Sequence, residues 1–434
     1  MIGDMVFYTT VMLWIATVIA KGEPWAPAAA SGALMATAVP VLLIGPIAGV
    51  WVDRWDRRRT MLTADAARLV LIACLLVVPL LRHRVPVGAQ LGILYAVLIA
   101  ASCFAQFFDP SRLAILGAIV PDADRASASG QLSAAFSLSL IAGPPIAAPL
   151  LFGLGVQWAL ILNAVSFGVS FLCVRAIRVA TEAAGAPAPR TTFASEFRAG
   201  LSFFLGNKVL VALGIGLMVA TLGDGAVNSL AVFFVQHNLH VAAKWLGTVI
   251  GAAGAGAIVG ALIVGVLARR IQPTKIFLMA LICYGIALIA FARTTVLIAA
   301  IAVAVVIGFG AGLLNAASSP IILSVTPSRL LGRVNAVIGP VNQLTSILSM
   351  ALAGFLASTV LRGFHEVIAG VTVGPYDTIL AVAGLLFVVA GLVVVALMRG
   401  IRNVPAADGS ARDGMEQAHA DRAMSEGSGP APAG

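Results

Sequence analysis

Long apolar runs without a single charge follow one another along most of this chain, and they leave it few folds to adopt. Residues 5–20, 28–52, 85–108, 126–174, 245–268, 276–292, 294–328, 334–361 and 378–398 contain no Asp, Glu, Lys or Arg. Two more runs carry isolated charges: 60–81 holds Asp65 and Arg68, and 209–234 holds Asp224. About 20 apolar residues in a helix cross the roughly 30 Å hydrocarbon layer of a bilayer. The run 126–174 is too long for one crossing and breaks at Gly153-Leu-Gly155-Val-Gln157, which brings the count to twelve. Backbone groups in lipid must be satisfied within the protein, and runs of this length without alternation select helices over barrel strands. With 60% of 434 residues apolar, 10% charged and a mean hydropathy of +1.02, a soluble enzyme is excluded.

The net charge of +9 acquires meaning from its placement. An even number of spans puts both termini on one side. The loops on that side hold 18 Lys and Arg residues, leaving aside the distant Arg412 and Arg422, against 6 in the loops on the other. The positive-inside rule assigns the arginine-rich side to the cytoplasm of a bacterial plasma (inner) membrane. The basic excess is therefore topological, and no nucleic-acid partner is expected. A cleaved signal peptide is not expected either, because Asp4 is the only charge before the first apolar run. The four cysteines lie inside apolar runs without metal-like spacing and read as small core residues. The histidines fall in loops or the tail, so neither a metal nor a cofactor is expected.

Residues 1–177 form one six-span half and 208–402 the other. Between them, 178–207 is a cytoplasmic linker that becomes amphipathic from Phe193 to Phe204, as an interfacial helix would. Residues 403–434 have no periodicity and read as a disordered cytoplasmic tail. The halves echo each other. Gly3-Asp4 recurs as Gly223-Asp224, Gly143-Pro144 as Gly339-Pro340, and Gly49-Val-Trp-Val-Asp53-Arg54 as Gly265-Val-Leu-Ala-Arg269-Arg270, all in the correct span order. By the same repeat, Lys208 lies 16 residues before Asp224, whereas Met1 lies 3 before Asp4. The first helix is accordingly expected to be truncated at its start by about 13 residues, some 20 Å of helix.

The segment Gly49-Val-Trp-Val-Asp53-Arg54-Trp-Asp56-Arg57-Arg58-Arg59 resembles the signature between spans two and three of the major facilitator superfamily, with Asp56 where a glycine is usual. The Asp-Arg-x-Asp-Arg-Arg form is similar to the macrolide-efflux and enterobactin-exporter branch. Asp65, Pro110-x-Arg112, Gly143-Pro144, Asn163 with Phe167, and Gly332-Arg333-Val-Asn335 support that likeness. It implies an all-α polytopic membrane protein of twelve transmembrane helices in two pseudo-symmetric six-helix bundles. It further implies that Asp53, Arg54, Arg57 and Arg58 latch an inner gate, with Asp109 and neighbouring Arg112 at the inner end of span four as the mobile partner.

Charges within a bilayer are costly and mark function unless they are paired. Asp65 and Arg68 stand one helical step apart near the inner surface and read as a structural pair. Asp224 lies deep in its span with no basic residue within a turn and Asn228 on its face at i+4. Such a carboxyl suits proton coupling or substrate contact, or else a packing role bonded to Asn228. Asp4, its repeat mate, shares these alternatives. Gly143-Pro144-Pro145 would kink span five, which a rocking motion could use or merely tolerate. Gly247, Gly251, Gly256 and Gly260, spaced through span eight, read as a close-packing face without a transport role. Taken with these features, the resemblance implies a monomeric secondary transporter, with protons as coupling ion, exporting an amphipathic small molecule such as a macrolide-like drug or a siderophore. Uptake or uniport by the same fold stays open. A polytopic sensor or membrane enzyme would need a soluble domain or an intramembrane His/Asp/Glu cluster that the sequence lacks.

Overall fold

The computed structural model describes residues 1–52, 54–80, 84–121, 124–177, 193–268, 270–364, 366–368 and 371–398. Asp53, Arg269, the linker residues 178–192 and the tail 403–434 lie outside them. Twelve helices are long and apolar enough to cross a membrane: Ile2–Ile19, Ala26–Leu43, Arg57–Leu80, Val87–Ile119, Ser127–Leu154, Val156–Ala176, Lys208–His237, Ala243–Leu267, Pro273–Ala292, Leu297–Val325, Arg333–Val360 and Pro375–Leu397, here spans one to twelve. The break expected at 153–157 falls at Gly155, whose φ of 98° is left-handed backbone that glycine tolerates. Asp56 caps span three, its Oδ1 accepting from Arg59 N at 2.8 Å. Asn207 caps span seven, its Oδ1 accepting from the amides of Val209 and Leu210. The described departure from helix is a short antiparallel hairpin, Glu366–Ile368 with Val371–Val373, between spans eleven and twelve.

Packing carries the twofold repeat. In the first half, spans three and four, three and six, one and five, one and six, and two and four lie against each other. In the second, their counterparts do the same: nine and ten, nine and twelve, seven and eleven, seven and twelve, eight and ten. The Gly-Asp repeat shows in its contacts too. A Cβ on Gly3 would strike Ser166 of span six, and a Cβ on Gly223 would strike Phe387 of span twelve. The second glycine repeat is less symmetric. Gly143 packs on Met5, whereas Gly339 has nothing within 4 Å.

Large side chains such as Ile298 and Leu262 are 79% and 72% exposed. That pattern would be costly in water and is natural against lipid tails. Phe193–Gly206 is helical where the sequence is amphipathic, and it packs on the second half, with Gly200 against the Arg333 carbonyl of span eleven.

Candidate functional site

Contacts between the halves gather at two seams, span two on span eleven and span five on span eight, which the repeat makes equivalent. Both seams lie towards the face away from the arginine-rich loops. Ala28 N donates to Ser358 Oγ at 3.0 Å, and Gly354 packs on Ser31 and Ala28. Deeper in the same seam, Gln343 Nε2 donates to the Ala38 carbonyl at 3.1 Å. At the other seam a Cβ on Gly247 would sit 2.5 Å from the Pro144 carbonyl oxygen and 2.9 Å from Pro145 Cα, and one on Gly251 would sit 2.9 Å from the Pro145 ring. The even glycine stripe of span eight is thus two surfaces. Gly247, Gly251 and Gly254 meet span five of the other half, while Gly256 and Gly260 meet the backbone of span ten at Val305 and Phe309. The close packing expected of this stripe is present throughout, and in its first part it joins the two halves, so that a side chain added at Gly247 would force them apart. Pro144 and Pro145 belong to that seam, while Gly143 beside them packs on Met5 of span one, all three inside a helix that continues unbroken to Pro149.

At the arginine-rich face, Gly49 lies in a short helix, Gly45–Val52, that prolongs span two. Asp56 holds the start of span three and approaches Arg59 Nε at 3.7 Å. The aspartate that replaces the usual glycine therefore has a structural use as an N-cap. Arg58 reaches the end of span six, where it donates to the carbonyls of Val174 and Arg175. Those are carbonyls that a helix C-terminus leaves unsatisfied. Arg54 is exposed and Arg57 half-buried. Asp109 pairs with Arg112 one helical step away, at 3.0 Å.

In the second half, Asp224 and Asn228 are exposed along span seven, as is Asn315 of span ten. An exposed carboxylate within a span is tolerable towards a wet cavity and not towards lipid. Asn228 does not bond the carboxylate, as one alternative had it. Its Nδ2 donates to the Asp224 backbone carbonyl at 2.8 Å. The carboxylate accepts instead from Tyr284 Oη of span nine at 2.6 Å. Tyr284 is buried and stacked on Phe387 at 4.4 Å between ring centroids, the ring that Gly223 admits. No Lys, Arg or His pairs with Asp224 among the described residues. Tyr284 escaped the sequence reading, because nothing in the apolar run of span nine marks which neighbouring span its hydroxyl will meet.

In the first half, Asp4 is half-buried and lines a cavity of about 230 Å³ together with Asp65, Arg68, Asp109 and Arg112. Asp65 and Arg68 form the expected pair at 2.8 Å. Ser170 Oγ of span six donates to the other carboxylate oxygen at 2.6 Å, a partner no local spacing indicated.

The family model described as Major Facilitator Superfamily matches residues 1–349 and 213–425. The multidrug efflux pump Tap of Mycolicibacterium fortuitum is 29% identical over 348 residues, covering 77% of this chain and 82% of that one. An uncharacterized MFS-type transporter, YkuC of Bacillus subtilis (strain 168), is 26% identical over 327 residues, covering 73% and 74%. Among solved structures, a bacterial homologue of the iron transporter ferroportin, in an inward-facing state, superposes with a TM-score of 0.70 at 12% identity, covering 92% of this chain and 97% of that one. At that identity the likeness is one of fold.

Proposed function

The chain belongs to the major facilitator superfamily, and we propose that within it this protein is a proton-coupled exporter of amphipathic small molecules, macrolide-like drugs or siderophores, working by alternating access. It is a multi-pass membrane transporter of small molecules and not an enzyme. The observation that carries the proposal is an exposed carboxylate, Asp224, set within a span and without a cationic partner among the described residues. Such a group can hold either a proton or a positively charged or hydrogen-bonding part of a substrate, and competition between the two is the simplest form of antiport. The efflux-pump relative at 29% identity favours the export direction.

In the proposed orientation both termini are cytoplasmic in a bacterial plasma membrane, and the protein works as a monomer. The seams joining the halves then lie on the outer side, and the cavity opens inward. Rocking would part span two from span eleven and span five from span eight, and would bring the loop after span two towards Asp109. In that opposite conformation Arg57 or Arg58 pairs with Asp109, with Asp53 completing the latch. Asp4 faces the corresponding place in the first half. Efflux from cells across a panel of macrolides, siderophores and lipophilic cations, with and without a protonophore, tests the reading. Accumulation should rise on protonophore addition only in cells carrying the protein. Protein-dependent efflux that ignores the protonophore would remove the coupling, and no protein-dependent efflux across the panel would remove the substrate class.

A further inference from the structure

Span two begins with a turn that its own half does not complete. The first amides of a helix have no partner within it, and Trp25, just before this helix, offers no capping side chain. The Ala26 amide is met by the Glu23 carbonyl at 3.1 Å, Pro27 has no N–H, and the Ala29 amide bonds the Trp25 carbonyl at 3.0 Å. That leaves the Ala28 amide, whose acceptor is Ser358 Oγ of span eleven at 3.0 Å. A serine hydroxyl is a favoured cap for such an amide, and here it comes from the other half of the molecule. Ser358 is 7% exposed and sits in the π turn Leu356–Val360 that ends span eleven, a widened turn of a kind frequent at functional positions.

One helical step along span two, Ser31 meets the same neighbour with the opposite sign. It is 2% exposed, and its Oγ is buried with no hydrogen-bond partner among the described residues. The hydroxyl faces Gly354 of span eleven, which has no side chain to answer it. A buried hydroxyl without a partner destabilises the arrangement that buries it, at a cost comparable to or above the gain from one hydrogen bond. Parting of the two spans would hydrate it. Closing this seam therefore gains the Ala28–Ser358 bond and forfeits the hydration of Ser31. The seam of span five with span eight has no such pair. It closes by glycine against proline, and no side-chain hydrogen bond crosses it among the described residues. Its own π turn, Leu150–Leu154, carries Phe152 at the place that Ser358 holds in the other.

We propose that Ser358 and Ser31 are opposed gating residues that set how readily the two halves part. Ser358 caps the start of span two across the halves and holds the seam closed. Ser31 works against it, so the closed seam is favoured without being locked. The proposal rests on the alternating-access reading and on neither the substrate nor the coupling ion.

The test follows from the opposite signs. The reporter is Ala148→Cys, 1% exposed in span five and on the helix face of Ile141 and Pro145, which meets span eight in the other seam. It is placed in the full chain with the four native cysteines replaced and reconstituted in lipid nanodiscs, where a bulky membrane-impermeant maleimide reaches both faces. Its labelling rate follows the open fraction and needs no transported substrate. Ser358→Ala should raise the rate by about 2- to 10-fold, the worth of one hydrogen bond. Ser358→Thr, which keeps the hydroxyl, should stay near the parent rate. Ser31→Ala, which removes only the orphan oxygen, should lower the rate by about fivefold or more. A loss of packing would raise the rate in both alanine variants, so the slower Ser31→Ala protein separates gating from damage. A Ser31→Ala rate at or above the parent's, or a Ser358→Ala rate at or below it, would overturn the proposal. A reporter that stays unlabelled in every variant would overturn the alternating-access reading and this proposal with it.

Discussion

Gly247→Val tests whether the seam between spans five and eight is a gate. The added Cβ would lie 2.5 Å from the Pro144 carbonyl oxygen and 2.9 Å from Pro145 Cα. Both are backbone atoms of a proline pair in a helix and cannot swing aside as a side-chain tip would. Overpacking of this kind costs about 1–3 kcal/mol. The contact is between halves, so the cost falls on the conformation in which this seam is closed and is absent when it opens. A differential of that size shifts the balance between the two conformations by about 5- to 150-fold. The assay is labelling by a membrane-impermeant maleimide at Ser31→Cys, a residue 2% exposed in the equivalent closed seam, in a background with the four native cysteines replaced. In bacterial cells Gly247→Val should raise the labelling rate, and Gly247→Ala should raise it less. The paired crosslink Ala28→Cys with Ser358→Cys, across a backbone-to-hydroxyl contact of 3.0 Å, should form more slowly. Unchanged labelling and crosslinking in a well-inserted Gly247→Val protein would refute the reasoning, because the seam would then have accommodated the methyl groups without moving the halves.

Asp224→Asn should abolish uphill transport driven by an imposed pH gradient while retaining exchange. Tyr284→Phe, which keeps the stack on Phe387, should alter the pH profile of transport and leave thermal stability nearly unchanged; a variant with the full response to a pH gradient would make Asp224 structural. Asp53→Asn should impair transport in vesicles with membrane insertion intact, since it removes a charge of the proposed latch and no topogenic one; normal transport by an inserted variant would remove the latch. Gly308→Val should act on stability rather than on gating, because a Cβ there falls on the Ala253 backbone within one half. A loss of about 1–3 kcal/mol should lower the unfolding temperature in detergent without changing maleimide labelling at Ser31→Cys.

The number of spans, their approximate limits and the twofold repeat are all legible in the chain because a bilayer imposes one length and one polarity on every crossing. The same economy explains which side-chain pairs could be foreseen. Asp65 and Arg68 stand three residues apart on one helix, and helix geometry alone puts them together. Asp224 and Asn228 are four apart and share a face as expected. Yet the amide reaches its own helix carbonyl, a local bond always within its range, and the carboxylate goes to a tyrosine 60 residues away. Ser170, Phe108 and Phe167 around Asp65 and Arg68 were equally out of reach, since nothing in an apolar run says which neighbouring span its faces will meet.

The glycines mark the division most clearly. Their spacing in span eight announces that something approaches closely, and the sequence says no more than that. Tertiary structure assigns Gly247 and Gly251 to the opposite half and Gly256 and Gly260 to their own, and so separates a surface between the halves from one within a half. Lipid solvates every apolar helix face about equally well, so hydrophobicity cannot choose among partners in a membrane. Shape and the few polar groups do, and those act only once the helices are assembled.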